Sequence, residues 1–262
     1  MDVVSVVVVC YNEVQERIRY TLDSIVAQDY PELELVVIDG GSEVRTIDAL
    51  KVYKNKISTF LSEQDDGLYD AMNKGIRLST GKWIIFMNIG DRFYSPEVLT
   101  KLMGNIHAGC GDLIYGDVFI GNKYLPALGR LSRYRLYDRI ICHQALLSRR
   151  AVFESIGGFD ISYSLIADRD WILRAVTKGH KPKHFAIPIC DWEVGGKCSD
   201  YKAVDKELIR YRSIHFSRFE RLMYVIFRGS SKTLERIRSF NFALPVGLKR
   251  YFWRTEKRKG KL

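Results

Sequence analysis

Two hydrophobic periods alternate along the first hundred residues. Residues 3–9 (VVSVVVV) form an almost unbroken β-branched run, which predicts a strand buried on both faces and therefore a parallel sheet. Asn12 and Glu13 then open a stretch to about Ala27 in which Ile18, Leu22, Ile25 and Val26 recur at helical spacing, and Pro31 ends it. Further strands are predicted at Leu33 to Ile38, Ile57 to Leu61 and Trp83 to Met87, with a helix from about Leu68 to Ser79. Strands that alternate with helices imply right-handed βαβ crossovers and a sheet covered by helices on both faces.

The second half is more mixed. A strand is expected at Asp112 to Ile120, a long Arg/Tyr-rich loop at Gly121 to Tyr137, and another strand from Ile140 to Leu147 around His143 and Gln144. A helix starts near Arg150 and stops at Gly157-Gly158; another runs from Ala167 to Lys178. His184 to Ile189 reads as a strand and Asp191 to Asp200 as a Gly-containing loop. From Tyr201 onward Leu208, Tyr211, His215, Phe219, Leu222, Met223 and Ile226 share one helical stripe.

The polar residues fall at the ends of the predicted strands. Asn12 follows the first, Asp39 the second, Glu63 to Asp66 the third, Asn88 and Asp91 the fourth. Ligands of open α/β sheets bind at these carboxyl ends. Any one such turn is ordinary, because Asp, Asn and Gly are turn residues; four in succession point to a site.

Charge divides the chain. From Tyr201 to Leu262 there are 17 Lys+Arg against 5 Asp+Glu, while the whole chain of 262 residues carries only +10, so the body is slightly acidic and the basic excess lies in the tail. Such a tail can meet nucleic acid, an anionic membrane or water. No apolar run is long enough to span a bilayer, and no basic region precedes the first apolar stretch as in a signal peptide. Five scattered cysteines without a CxxC pair or zinc-site spacing are expected to be reduced thiols of a cytosolic protein.

An acidic pocket on a parallel sheet suggests Mg²⁺ or Mn²⁺, which prefer oxygen ligands shared with substrate phosphates; Asp91, with Asn88 three residues before it, suits that role. Neither GxxxxGK[ST] nor a GxGxxG after the first strand is present, which argues against P-loop and dinucleotide sites. Asp39 can accept hydrogen bonds from a base or ribose. Asp168, at a helix start, is a candidate general base and equally a candidate helix cap. His143 and Gln144 could orient a hydroxyl, and Lys197, in the Gly195–Ser199 loop, could approach a phosphate; a structural His and a plain surface loop are the alternatives.

Several pieces resemble the family 2 glycosyltransferases of GT-A fold: VSVVVVCYNE ending at Glu13, LELVVIDGGSEVRTID (33–48), SEQDDGLYDAMNKGIRLSTGKWIIFMNIGDRF (62–93), HQALLSRRAVFESIGGFD (143–160) and IADRDWILR (166–174). YDAMNKGI and MNIGDRF are most similar to the subgroup that builds bacterial surface polysaccharides. The resemblance spans roughly residues 3–200 and implies an α/β, Rossmann-like, mostly parallel sheet flanked by helices. Its nucleotide-sugar half would be about 1–110 and its acceptor half about 111–200, with a basic amphipathic helical tail over 201–262.

The implied reaction is inverting transfer of a sugar from a nucleotide sugar, by family frequency a UDP-sugar, to a hydroxyl of a glycan or lipid-linked acceptor. Asp39 matches the aspartate that contacts the base, Asp65 lies in the segment over the nucleoside, and Tyr11, Asn12, Glu13, Asn73, Lys74 and Asn88 fall on the same nucleotide side. Asp91 matches the last aspartate of the metal motif and Asp168 the catalytic base; His143, Gln144, Asp170 and Lys197 fall on the acceptor side. There are two departures. The metal motif, usually Asp-x-Asp-Asp, reads Asn88-Ile89-Gly90-Asp91, and Ala167 stands where a Glu is common. In this setting the tail, with Phe216, Phe219, Leu222, Met223, Ile226 and Phe227 beside basic residues, suits an anionic membrane on the cytoplasmic side rather than nucleic acid. A nucleotidyltransferase shares the acidic site but is expected to carry a basic phosphate loop after the first strand; a non-catalytic scaffold or a nucleic-acid-binding protein using the tail are the other readings.

Overall fold

The computed structural model describes residues 1–107, 109–121, 123–127, 129, 131–139, 141–193 and 201–230; of Tyr201 and residues 226–230 only the backbone is described. The chain separates into two compact units, Met1–Val194 and Gly195–Leu262.

The first unit is built on one sheet. Its leading half follows the hydrophobic pattern closely: β1 (Val4–Cys10), α1 (Gln15–Val26), β2 (Leu33–Asp39), α2 (Val44–Lys51), β3 (Thr59–Ser62), α3 (Leu68–Leu78) and β4 (Trp83–Phe86). β1 is parallel to both β2 and β4, and β2 to β3. Every residue of β1 is buried, as its apolar run requires of a central parallel strand.

The second half completes the sheet with β5 (Arg92–Phe93), α4 (Val98–Gly104), β6 (Leu113–Ile120), β7 (Lys123–Leu125), β8 (Leu146–Arg149), α5 (Arg150–Ile156), α6 (Ala167–Lys178) and β9 (Pro182–Asp191). The strand order is β3-β2-β1-β4-β8-β6-β9-β5, with β7 beside β6. β8 runs antiparallel to β4 and β6, and β9 parallel to β6. The sheet is therefore mostly parallel, with helices packed on it, and the antiparallel strand brings its own amino end to the edge where β4 ends.

That reversal accounts for one difference from expectation. Residues 143–145 form a 3-10 turn and the strand begins only at Leu146. His143 and Gln144 are turned to the site by a tight turn rather than lying in a strand. Helix α2 was not predicted, because VRTIDALK is short and opens without a side-chain cap.

In the second unit, α7 (Tyr201–His215) and α8 (Arg218–Ser230) replace the single stripe. The break is a capping box: the Ser217 backbone N–H donates to Glu220 (2.7 Å) while Ser217 Oγ accepts from the Glu220 N–H (3.2 Å). Phe216 is consequently buried, with its ring 6.0 Å from that of Tyr211, and does not join the exposed stripe. Phe219, Leu222 and Val225 form that stripe instead, each more than half exposed. Among the described residues no helix is long and apolar enough to cross a membrane.

Candidate active site

The carboxyl ends of β1, β2 and β3 meet around Asp39. Its carboxylate is fully buried, and Oδ2 accepts from the Gly41 N–H (3.1 Å), the Ser42 N–H (2.9 Å) and Ser62 Oγ (2.7 Å). Its other oxygen, Oδ1, is buried and accepts nothing from the described residues. Three donors on one oxygen fix the carboxyl group and leave the second as a directed acceptor.

Tyr11 and Asp65 stand beside it. A Cβ on Gly40 would lie 2.3 Å from Asp65 Oδ2 and 3.3 Å from Tyr11 Cδ2, so only glycine lets these side chains converge over the turn. Tyr11 is exposed, with its ring available for stacking. Asn12, in the left-handed region (φ 52°), clamps two turns: its N–H donates to Ser42 Oγ (2.7 Å) and its Oδ1 accepts from the Glu43 N–H (2.9 Å). The Glu13 carbonyl accepts from Thr46 Oγ1, 2.9 Å away.

Lys74 and Asn73 turn to the protein. Lys74 Nζ donates to the Gln64 carbonyl (2.7 Å) and pairs with Glu63 (2.9 Å), bracing the segment that carries Asp65. Asn73 spends both ends of its amide on the Phe159 backbone, at 2.9 and 2.8 Å, joining α3 to the turn before α6. Asp170 is likewise committed to Arg174 (2.7 Å), whose guanidinium also holds the carbonyls of Ile156 and Gly158.

The second cluster lies where β4, the 143–145 turn and α6 meet. Asp168, first-turn residue of α6, is buried; Oδ1 accepts from Tyr69 Oη (3.1 Å) and the Arg169 N–H (2.8 Å), and Oδ2 lies 3.1 Å from His143 Nδ1. His143 Nε2 lies 2.9 Å from Asn88 Nδ2. Gln144 donates to Asp91 Oδ2 (2.6 Å) and accepts from Cys142 Sγ (2.7 Å). Asn88, Asp91, His143, Gln144 and Asp168 thus form one hydrogen-bonded group, which joins the turn after β4, the 143–145 turn and the head of α6. Lys197 lies outside the described residues.

Asp91 is held from several sides. Its Oδ1 accepts from the Glu193 N–H (2.9 Å), and its carbonyl accepts from Thr21 Oγ1 (2.7 Å). Burial pushes its carboxyl up to about 6, against the pull of the Glu193 and Gln144 donors and the His143 ring. Gly90 (φ 104°) adopts a conformation that favours glycine, and a Cβ there would stand 2.3 Å from Glu193 Oε2 and 2.4 Å from Arg17 Nη2, so that pair would have to shift. Arg17 pairs with Glu13 (2.8 Å) and Glu193 (2.7 Å) and donates to the Ile89 carbonyl (3.1 Å).

This donor set does not fit a divalent cation at Asp91. Each carboxylate oxygen already accepts one protein N–H, and burial raises the group's hold on its proton. Among the described residues no three His, Cys, Asp or Glu side chains gather in a metal-binding group. The Asn88–Asp91 turn, where Mn²⁺ or Mg²⁺ was expected, is deeply packed, with Asp91 itself buried. The four described cysteines are free thiols, and Cys198 lies outside the described residues.

Sequence reasoning missed Tyr69, Thr21 and the Arg17–Glu193 pair. Tyr69 stands in the recognised YDAMNKGI piece, but its contact with Asp168, 99 positions away, has no local signature.

The sheet order, the acidic strand ends and the buried carboxylate at the head of α6 define a GT-A-type transferase fold. Solved structures of that kind superpose on the chain. The Staphylococcus aureus TarS 1–349 fragment in complex with UDP is 18% identical, with TM-score 0.66, and the match covers 92% of this chain and 75% of that one. The mannosyltransferase PcManGT from Pyrobaculum calidifontis, in complex with GDP-Man and Mn²⁺, is 17% identical, with TM-score 0.65, over 94% of this chain and 77% of that one. At such identities the likeness speaks for fold alone.

Sequence comparison gives the family. The glycosyl transferase family 2 profile matches residues 5–160. A PGL/p-HBAD biosynthesis glycosyltransferase of Mycobacterium tuberculosis is 31% identical over 221 residues, 82% of this chain and 86% of that protein. An uncharacterized glycosyltransferase of the same species is 29% identical over 222 residues, 81% of this chain and 84% of that protein. The chain belongs to glycosyl transferase family 2 and is a glycosyltransferase.

Proposed function

We propose that this glycosyltransferase moves a sugar from a nucleotide sugar to an acceptor hydroxyl with inversion at the anomeric carbon, Asp168 being the general base. The observation that carries this reading is a set of two buried carboxylates, Asp39 at the end of β2 and Asp168 at the head of α6. Asp39 offers an unpartnered Oδ1, and Asp168 is held in place by Tyr69, His143 and the first turn of α6.

The nucleoside lies against Asp39, with the Asp65 segment and the Tyr11 ring beside it; Asp39 Oδ1 accepts a base or ribose donor. Asp168 takes the acceptor proton as the acceptor oxygen forms its bond to the anomeric carbon and the bond to the nucleoside diphosphate breaks. One displacement inverts the centre and needs one base. A retaining double displacement would need an enzyme nucleophile, and none is assigned.

A UDP-sugar is the proposed donor, in keeping with the UDP complex of a neighbour; the other neighbour was solved with GDP-Man. The proposed acceptor is a lipid-linked glycan of bacterial surface polysaccharide, met at the cytoplasmic face of the membrane. The exposed Phe219, Leu222 and Val225, together with the basic residues of the tail, support contact with anionic lipid.

Calorimetric titration with UDP and with GDP, each with and without Mn²⁺, tests the donor side. Binding of UDP without Mn²⁺ is expected, and loss of that binding in Asp39→Asn. Asp168→Asn should bind the nucleotide as the parent does and transfer no sugar; retained turnover sinks the base assignment. A folded sample that binds neither nucleotide sinks the donor assignment.

A further inference from the structure

We propose that Asn88 and His143 are positioning residues for Asp168: the Asn88 amide fixes the imidazole as the uncharged Nδ1–H tautomer, and that N–H holds the Asp168 carboxylate. The inference rests on the reading of Asp168 as the base but can fail separately from it.

The argument begins with donor and acceptor roles. Asn88 presents its Nδ2 to His143 Nε2 at 2.9 Å, and an amide nitrogen only donates. Nε2 must then carry a lone pair, so the ring proton sits on Nδ1, which lies 3.1 Å from Asp168 Oδ2. The opposite tautomer would set N–H against N–H at Asn88 and a lone pair against a carboxylate at Asp168. With the amide placed this way one tautomer satisfies both contacts, and Asn88 Oδ1 is buried with no partner among the described residues; a turned amide would instead accept from Nε2–H and suit an imidazolium, which the tautomer measurement below distinguishes.

The ring cannot readily swing away. Gln144, next in the same turn, is pinned by Asp91 (2.6 Å) and Cys142 (2.7 Å). Phe86, Leu146, Phe153, Phe159 and Trp171 line the small apolar cavity beside His143 and Asp168. In such surroundings a satisfied hydrogen bond is strong and a broken one costly. The opposite oxygen of Asp168 is held by Tyr69.

Position 88 sets the charge. The family motif usually places a carboxylate there. A carboxylate facing Nε2 would draw a second proton onto the ring, leaving an imidazolium between two anions. Asn88 supplies a donor instead and leaves Nε2 as the acceptor. The other ionisable groups facing this unit are Asp168 itself, Tyr69 on its far oxygen, and Asp91 across Gln144, with Glu193 behind Asp91. His143 thus orients the base, and the acceptor proton goes to Asp168.

The full chain labelled with ¹⁵N-histidine gives a direct readout. The chain has 5 histidines, and the signal lost in His143→Asn identifies the ring. Two-bond ¹H–¹⁵N correlation at pH 7.5 should show the Nδ1–H tautomer in the parent and the imidazolium in Asn88→Asp. An Nε2–H or imidazolium pattern in the parent overturns the proposal, whatever Asp168→Asn does. Kinetics supplies the second arm. His143→Leu removes the donor and should lower kcat by roughly 10²-fold while nucleotide affinity holds, a cost typical of a misplaced catalytic group. His143→Asn, which sets an amide N–H near the place of Nδ1, should recover most of it. Parent-like kcat in His143→Leu overturns the positioning role, whereas turnover in Asp168→Asn removes the base reading and leaves the tautomer result standing.

Discussion

Replacing Asp91 with Asn separates two descriptions of the Asn88–Asp91 turn. As a packed strut, the carboxyl group is buried and pushed up from 3.8 to about 6, chiefly by desolvation. The folded protein then holds this proton more tightly than the unfolded chain. Its stabilising contribution is fully present below pH 4 and is lost as pH rises through about 6. The shift is roughly two units, and at ~1.4 kcal/mol per unit the loss is about 3 kcal/mol. In a domain of this size that corresponds to about 6–12 °C in Tm.

Asparagine is close to isosteric with the protonated acid and does not titrate. Either form needs Gln144 to turn its amide so that Oε1 faces position 91, and Cys142 Sγ can adapt as an acceptor. Thermal melts of parent and Asp91→Asn across pH 4 to 8 should therefore show a small gap at pH 4. The parent should lose ground to the variant until about pH 7, and adding Mn²⁺ should leave the gap unchanged. A gap constant with pH would mean that the carboxylate is already ionised at pH 4, which refutes the packed strut. Mn²⁺ raising the parent's Tm but not the variant's would mean that Asp91 takes a cation.

Two further outcomes follow from packing and from the tail. Gly75 on α3 leaves a built Cβ 2.3 Å from Val7 Cγ1, so Gly75→Ala should cost about 1–2 kcal/mol by urea titration although alanine favours the helix; in a Val7→Ala background the same change should stabilise. Removing residues 241–262 should reduce co-sedimentation with anionic liposomes and leave binding to neutral ones unchanged; equal binding to anionic liposomes would assign the tail's charge to solvent.

The sheet was legible because its central strands bury both faces. Only a parallel sheet lets VVSVVVV and LELVVID stand side by side, and polar residues after such strands have one edge to occupy. The antiparallel β8 was not legible as drawn. In RIICHQALL apolar residues stand on both sides of His143 and Gln144, and nothing local says that the strand starts only at Leu146. The α7–α8 break did carry a signature, the S-x-x-E of Ser217 and Glu220, which the longer apolar stripe masked. Within the site, residue types were readable and contacts were not. Asn73 and Asp170 sit in the right pieces, yet their polar atoms are spent on Phe159 and Arg174, and only the fold supplies those partners.

The altered motif acquires a physical meaning from what fills each changed position. Asn88 faces an imidazole with a donor where a carboxylate would charge it. Gly90 leaves its side-chain space to the Arg17–Glu193 pair. Asp91 keeps its carboxyl group but commits both oxygens to backbone and amide donors. Each change removes negative charge from the end of β4 or ties it down, and a charge left there unpaired would be costly to bury. Restoring one carboxylate alone would not rebuild a cation site. At position 90 it would first displace a guanidinium, and at position 88 it would first protonate His143. The double variant Asn88→Asp with Gly90→Asp should therefore bind Mn²⁺ no more tightly than the parent unless Arg17 is also removed.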